Sequence, residues 1–238
     1  MLTVHERSER LRALPTVVVR AVLAELGIRR TLVSGLRPVV GTGTLAGPVR
    51  TLRYLPARED VPGSPVARRA VETLQEGEIL VVDALECTGA AVFGDMMAAR
   101  AQRLGAAGVV ADGAVRDVPG MRGVGLPVWA RGLHPDPSSV ALVPWEADVA
   151  VRCGGCLVQP GDWILADDEA VLVIPAALLD ELLARAPGQA AAEDFSQRLL
   201  AAGWALDEAY PLPQDMRTHL SRFLRDGTVP VPHRTDES

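Results

Sequence analysis

Between Gly89 and Asp117 the chain reads GAAVFGDMMAARAQRLGAAGVVADGAVRD, an order of signals that few topologies accommodate. Phe93-Gly94-Asp95 marks a passage from strand to helix. An Ala-rich helix is expected from about Met96 to Leu104, closed by Gly105, where a helix stops most easily. A buried strand from Gly108 to Ala111 follows, and Asp112-Gly113 reads as a tight turn that delivers Arg116 and Asp117 side by side. A helix packing back on a parallel sheet brings the ends of its two flanking strands together. The free N–H groups at the helix start suit an anion. They would then share one cleft with a guanidinium and a carboxylate.

The flanking sequence extends the same alternation. Residues 1–12 are charged and expected to be ordered only at their end. Pro15 starts a helix whose apolar face carries Val18, Val22, Leu23 and Leu26, and Gly27 stops it. Gly47 to Tyr54 is a clear strand, Pro56 to Pro65 a polar loop, Val66 to Gln75 a helix and Ile79 to Asp83 a buried strand. Further strands are predicted at Pro127–Arg131, Val140–Val143, Val149–Arg152, Trp163–Ala166 and Val171–Ile174. The last third turns helical, at Ala176–Ala186, Ala190–Ala202 and Gln214–Arg225, and the tail from Gly227 reads as frayed. Periodicity alone supports an α/β class with a mixed sheet.

Composition excludes several functions. The formal charge is -6, and no basic stripe suits a nucleic acid. No apolar run approaches a membrane span and the N-terminal residues do not resemble a signal peptide, so a cytoplasmic location is expected. All 24 basic side chains are arginine, with no lysine in the chain. An aldolase working through a lysine imine is therefore excluded, and carbanion chemistry here needs a metal or fixed hydrogen-bond donors. Cys153-Gly154-Gly155-Cys156 reads as a turn between strands. It is not read as zinc ligation, because His5, His134, His219 and His233 lack metal spacing.

The run Phe93-Gly94-Asp95-Met96-Met97-Ala98, with Val109-Val110-Ala111-Asp112-Gly113-Ala114-Val115-Arg116-Asp117 after it, resembles the RraA-like family. That family includes divalent-metal pyruvate aldolases acting on 4-hydroxy-4-methyl-2-oxoglutarate and a branch that regulates a ribonuclease. Gly47–Arg53, Leu126–Gly132 and Cys153-Gly154-Gly155 through Pro160-Gly161-Asp162 to Ala166-Asp167-Asp168 extend the likeness, which covers about Leu14 to Ile174. The resemblance implies a layered swivelling α/β/β/α domain over 1–186. A C-terminal helical extension, 187–238, would pack on it or on a neighbouring subunit of a homotrimer or hexamer. Many family members carry an acidic Asp-Ala-Leu near the second helix. Here that stretch is Arg20-Ala21-Val22-Leu23, so the acid is missing.

The resemblance also assigns roles. Asp117 would be the metal ligand, and a donor set of carboxylate and water favours Mg²⁺ or Mn²⁺. The ordinary alternative is a carboxylate paired with Arg116 or capping the next turn. Arg116 would contact a carboxylate or enolate oxygen, which requires the backbone to turn there, because neighbours on an extended segment point to opposite sides. The amides of Gly94, Asp95, Met96 and Met97 would hold a 2-oxo acid carboxylate, with Met96 standing where the family carries Leu. Asp95 either complements the helix dipole or binds a metal-bound water. Asp112 reads as shaping the turn before Gly113. Glu193 or Asp194 would reach a neighbouring subunit's site, while His134 reads as incidental. The expected function is a metal-dependent lyase releasing pyruvate from a 4-hydroxy-2-oxo acid, with decarboxylation of oxaloacetate open to the same site. The alternative is a non-catalytic regulator.

Overall fold

The computed structural model describes residues 2–41 and 43–232, and the chain divides into two compact units, one up to Leu183 and one from Ala184 onward. The first begins with helices α1 (Val4–Arg12) and α2 (Thr16–Glu25). Strands β1 (Leu32–Val33), β2 (Arg37–Val40) and β3 (Leu45–Pro56) follow, then α3 (Val66–Glu72), β4 (Ile79–Asp83), β5 (Ala91–Phe93) and α4 (Asp95–Arg103). Next come β6 (Gly108–Val115), α5 (Val118–Val124), β7 (Val128–Leu133), β8 (Leu142–Ala147), β9 (Val151–Cys153), β10 (Cys156–Val158), β11 (Trp163–Ala166) and β12 (Val171–Ile174). Helix α6 (Leu179–Ala201) leads to α7 (Leu206–Ala209) and α8 (Arg217–Asp226).

Four strands, β3-β4-β6-β7, run parallel and form the middle of the sheet. Parallel strands occur where both faces are covered, and so they read as unbroken apolar runs. All five residues of β4 and all eight of β6 are buried. Alternate side chains feed two cores. Leu80 and Val82 point with Val109 and Ala111 toward the helix-side cluster; Ile79 and Val81 point with Val110 toward a second cluster built from β1, β9, β10, β11 and β12. An antiparallel arm, β1-β12-β11, joins β3 at Leu45–Pro48, and β8 joins the far end of β3 at Leu52–Pro56. The result is the mixed α/β swivelling architecture with helices at its C-terminal end.

Several expectations need correction. Residues 4–12 are helical, because Thr3 and Glu6 form a reciprocal capping box that satisfies the first free N–H groups. Asp112-Gly113 is not a turn. Both residues lie inside β6, where the register against β7 shifts between Ala111 and Ala114. Gly113 is required there: a Cβ would stand 2.6 Å from the Cβ of Ala84. Helix α6 continues through Pro187 between Ala- and Leu-rich flanks, so Ala176–Ala186 and Ala190–Ala202 are not separate helices. Strand β8 begins two residues later than predicted. The unforeseen α5 starts with a proline in its first turn and ends at Gly125. His233 and the rest of the tail beyond Pro232 lie outside the described residues.

Two buried aspartates dock the β9–β10 hairpin on the ends of the parallel strands. Asp112 Oδ1 accepts from Arg131 Nε at 2.8 Å and Nη2 at 2.5 Å, while Oδ2 accepts from the Gly154 N–H at 2.7 Å. Asp83 accepts from the N–H groups of Leu85 and Arg152, both at 3.1 Å. Gly154 and Gly155, with φ of +49° and +84°, make the tight turn between Cys153 and Cys156, and both thiols are free and buried.

The second unit has its own small core of Phe195, Leu199, Ala209 and Met216. The Phe195 and Phe223 rings lie 5.2 Å apart, and the Arg198 guanidinium sits over Phe223. Among the described residues no helix is long and apolar enough to cross a membrane.

Two outcomes follow from the buried polar groups. Asp112→Ala should lower the unfolding free energy by about 3–5 kcal/mol, because it strands the Arg131 charge and the Gly154 N–H; urea denaturation reads this directly. The second concerns alkaline pH. Burial, then the negative charges of Asp112 and Asp83, push the Cys153 thiol well above its ordinary value. An unfolded thiol ionises at about pH 8.5, so the folded state loses stability as pH rises beyond that, by up to about 1.4 kcal/mol per unit. Cys153→Ala should flatten this alkaline limb in denaturation curves taken between pH 8 and 10.

Candidate active site

Strand β5 ends at Phe93, whose carbonyl accepts from the Arg116 N–H at 3.0 Å. Parallel pairing of β5 with β6, of which this bond is the last, sets the start of α4 beside the end of β6. Gly94 is the N-cap of α4, in extended conformation, and its carbonyl receives the Ala98 N–H at 3.0 Å. No side chain caps the helix, so the N–H groups of Asp95, Met96 and Met97 remain available to a ligand.

Asp117 holds a left-handed conformation, φ 56° and ψ 38°, at the N-cap of α5. That is the backbone turn required for two sequence neighbours to meet one ligand. Asp is among the few side chains that tolerate this region. The Arg116 Nε and Asp117 Oδ2 are 3.2 Å apart, with side chains 41% and 44% exposed. Among the described residues Arg116 is the only side-chain partner of Asp117.

Two glycines let these groups converge. A Cβ on Gly94 would stand 2.8 Å from Asp117 Oδ2 and 3.2 Å from Arg116 Cγ. A Cβ on Gly120, in α5, would stand 2.6 Å from Asp95 Oδ2. Asp95 therefore rests against the neighbouring helix while its own helix begins. Gly94, Asp95, Met96, Met97, Arg116 and Asp117, separated by up to 23 positions in the chain, line one cleft of about 1020 Å³.

The remaining walls carry residues that sequence reasoning did not single out. Residues of the loop 57–65, the start of α3 and the segment 137–144 also line the cleft. Tyr54 forms part of its floor, with its hydroxyl donating to the Val92 carbonyl at 3.3 Å. Burial pushes the phenol well above its ordinary value, opposed by the Ser138 hydroxyl, so Tyr54 stays a neutral donor. No local motif marks these positions; only the register of β8 on β3 brings them here.

Other expected residues lie elsewhere. Asp112 is buried in the Arg131 pair. His134 Nδ1 accepts from the Asp136 N–H at 3.2 Å and does not line the cleft. Asp194 pairs with Arg198 one helical turn away, at 3.0 Å, as an exposed helix acid commonly does. Arg20, at the position of the missing N-terminal acid, is partly exposed on α2. Among the described residues no group of three or more His, Cys, Asp or Glu side chains could hold a metal ion together.

The family described as RraA-like, Aldolase/RraA, matches residues 8–173, most of the first unit, including every residue lining the cleft. The chain belongs to the RraA-like family. A relative from Halalkalibacterium halodurans, provisionally named 4-hydroxy-4-methyl-2-oxoglutarate aldolase, is 29% identical over 84% of this chain and 90% of its own length. One of the same provisional name from Burkholderia multivorans is 37% identical over 64% of this chain and 88% of its own. A solved Streptomyces coelicolor structure superposes with a TM-score of 0.76 and 36% identity, over 81% of this chain and 96% of that one. It is described as an unusual member of the RNase ES inhibitor RraA protein family. Both functional classes expected of an RraA-like chain are thus represented among its relatives.

Gly94→Ala separates the cleft from the fold. Position 94 is extended, so alanine adds no backbone strain, and the clash falls on the movable Asp117 carboxylate. Its melting free energy should stay within about 1 kcal/mol of wild type. Mn²⁺ titration followed by electron paramagnetic resonance then tests whether the Asp117 carboxylate is a metal ligand: if it is, displacing its oxygen should lower affinity at least about tenfold.

Proposed function

We propose that this RraA-like chain is a divalent-metal-dependent lyase that breaks a C–C bond of a 4-hydroxy-2-oxo acid and releases pyruvate. The observation that carries the reading is the meeting of the bare α4 N-terminus, Arg116 and Asp117 in one cleft. The donor set fits Mg²⁺ or Mn²⁺: one half-exposed carboxylate at a glycine-lined approach, with room for water and substrate oxygens to complete the shell. The chemistry such an ion supplies is Lewis-acid polarisation of the 2-oxo group.

The chain's own residues divide the remaining work. Asp117 would hold the ion. The amides of Asp95, Met96 and Met97 bind the substrate carboxylate and fix its orientation. Asp95, through a water, accepts the proton of the 4-hydroxyl group. The C3–C4 bond then breaks, its electron pair forming the pyruvate enolate while C4 leaves as a carbonyl. The proton taken from the 4-hydroxyl returns through the same water to C3 and gives pyruvate. Arg116 faces the oxygen on which that enolate charge builds, and its contact strengthens as the charge develops. Loss of CO₂ from oxaloacetate leaves the same enolate, so the same groups serve it. The absence of lysine removes the imine route within this chain.

A homotrimer or hexamer accompanies this reading, with the segment 187–238 as a helical extension and Glu193 or Asp194 the candidates for a neighbour's cleft. Light scattering at micromolar protein tests the assembly, and a monomer counts against it. The 36% identity to the Streptomyces coelicolor inhibitor-family protein supports a second reading, a non-catalytic regulator. In that case the unaltered protein would release no pyruvate from any 4-hydroxy-2-oxo acid.

The variants must respect the backbone. Asp117→Asn tolerates the left-handed conformation and removes only the charge, so it should fold normally while metal affinity and pyruvate release fall together. Arg116→Ala should keep metal affinity and lose roughly 100- to 1,000-fold in kcat, the usual worth of one donor to a developing oxyanion. Arg116→Lys should recover part of that loss. Steady-state pyruvate release from a panel of 4-hydroxy-2-oxo acids, with chelator and Mg²⁺ controls, checks all three. Full turnover in excess chelator would sink the metal mechanism.

A further inference from the structure

The relatives' provisional substrate, 4-hydroxy-4-methyl-2-oxoglutarate, carries a carboxylate at each end. The proposed site accounts for one of them, held at the α4 amides beside Arg116. The same cleft also carries Arg58, Glu59 and Arg68 among its lining residues. Arg58 is already engaged by Asp60 within its own loop. Glu59 would repel an anion. Arg68 remains, and among the described residues no acid or hydrogen-bond acceptor holds its guanidinium.

Its position has no evident structural purpose. Arg68 lies in the first turn of α3, Val66–Glu72, where a cation opposes the helix dipole. It is exposed and does not pack into the core. From these observations, and resting on the lyase reading above, we infer that Arg68 is a specificity-determining residue that receives the far carboxylate of a dicarboxylic 2-oxo acid. The planar guanidinium offers two parallel donors to one carboxylate, a match that a methyl-terminated chain leaves unused.

The test compares 2-oxoglutarate with 2-oxopentanoate, two non-cleavable acids of equal chain length that differ only in that terminal group. Calorimetric titration of the full chain with Mg²⁺ should show wild type preferring 2-oxoglutarate about tenfold or more. Arg68→Gln should erase the preference while holding 2-oxopentanoate within twofold, and Arg68→Lys should restore part of it. Arg69→Gln, which removes the same charge outside the cleft lining, should keep the wild-type preference. An unchanged preference in Arg68→Gln overturns the assignment, as does a wild type that does not discriminate. Equal weakening of both ligands also overturns it, since that would mean a general role in shaping the cleft. The lyase reading fails separately: discrimination that depends on Arg68, in a protein that releases no pyruvate from any hydroxy-oxo acid, would leave Arg68 recognised and the chemistry wrong.

Discussion

A carboxylate with no exposed surface, Asp112, sits where three parts of the domain meet. It takes two donors from Arg131 on β7 and one from the turn of the β9–β10 hairpin, while its own strand bulges around it. Arg131 also reaches the Ser34 carbonyl and lies so close over Gly35 that a Cβ there would overlap the guanidinium. A buried ion pair of this kind adds little net stability compared with apolar packing, but losing one partner is costly. What the pair secures here is register. With Asp112 facing the hairpin, β6 continues past the bulge to Val115, and the next two residues emerge beside α4.

The cleft is then a matter of distances that side chains would normally prevent. Gly94 and Gly120 each leave out a Cβ where a carboxylate oxygen now lies, at 2.8 Å and 2.6 Å from the missing atom. Asp117 adopts a conformation that most residues avoid, at the junction of β6 and α5. All of these groups sit at the ends of strands and helices, so their geometry is inherited from the sheet and does not depend on a mobile loop.

How much of this could be read in advance depended on whether the signal was local. Ile79–Asp83, Trp163–Ala166 and Val171–Ile174 matched their strands to the residue, because fully buried strands leave unbroken apolar runs. The strand–helix–strand unit likewise placed Gly94 to Met97 beside Arg116 and Asp117. Asp112-Gly113 misled because the same dipeptide serves a turn and a bulge, and only the packing of Ala84 against Gly113 distinguishes them. The Thr3–Glu6 capping box was a local signal that charge content obscured. The rest of the cleft lining had no signal at all. Tyr54, Arg68 and Ser138 meet across 84 positions of sequence through strand pairing that no short window contains.

The Arg116–Asp117 contact looks at first like an argument against a functional role, since neighbouring opposite charges often do no more than pair on a surface. Magnitudes point the other way. A pair this exposed contributes about 0–1 kcal/mol. Keeping it here involves a left-handed non-glycine residue, a cost on the order of 1 kcal/mol, and a glycine at the N-cap of α4, where Ser, Thr or Asn would bond the free amides. The terms roughly cancel, so stability gives no reason for the arrangement. Under the lyase reading, a helix start left uncapped, facing a guanidinium and a carboxylate across a glycine, would serve an anionic ligand with a bound cation. The same three features in a purely structural corner would each be replaceable at no loss.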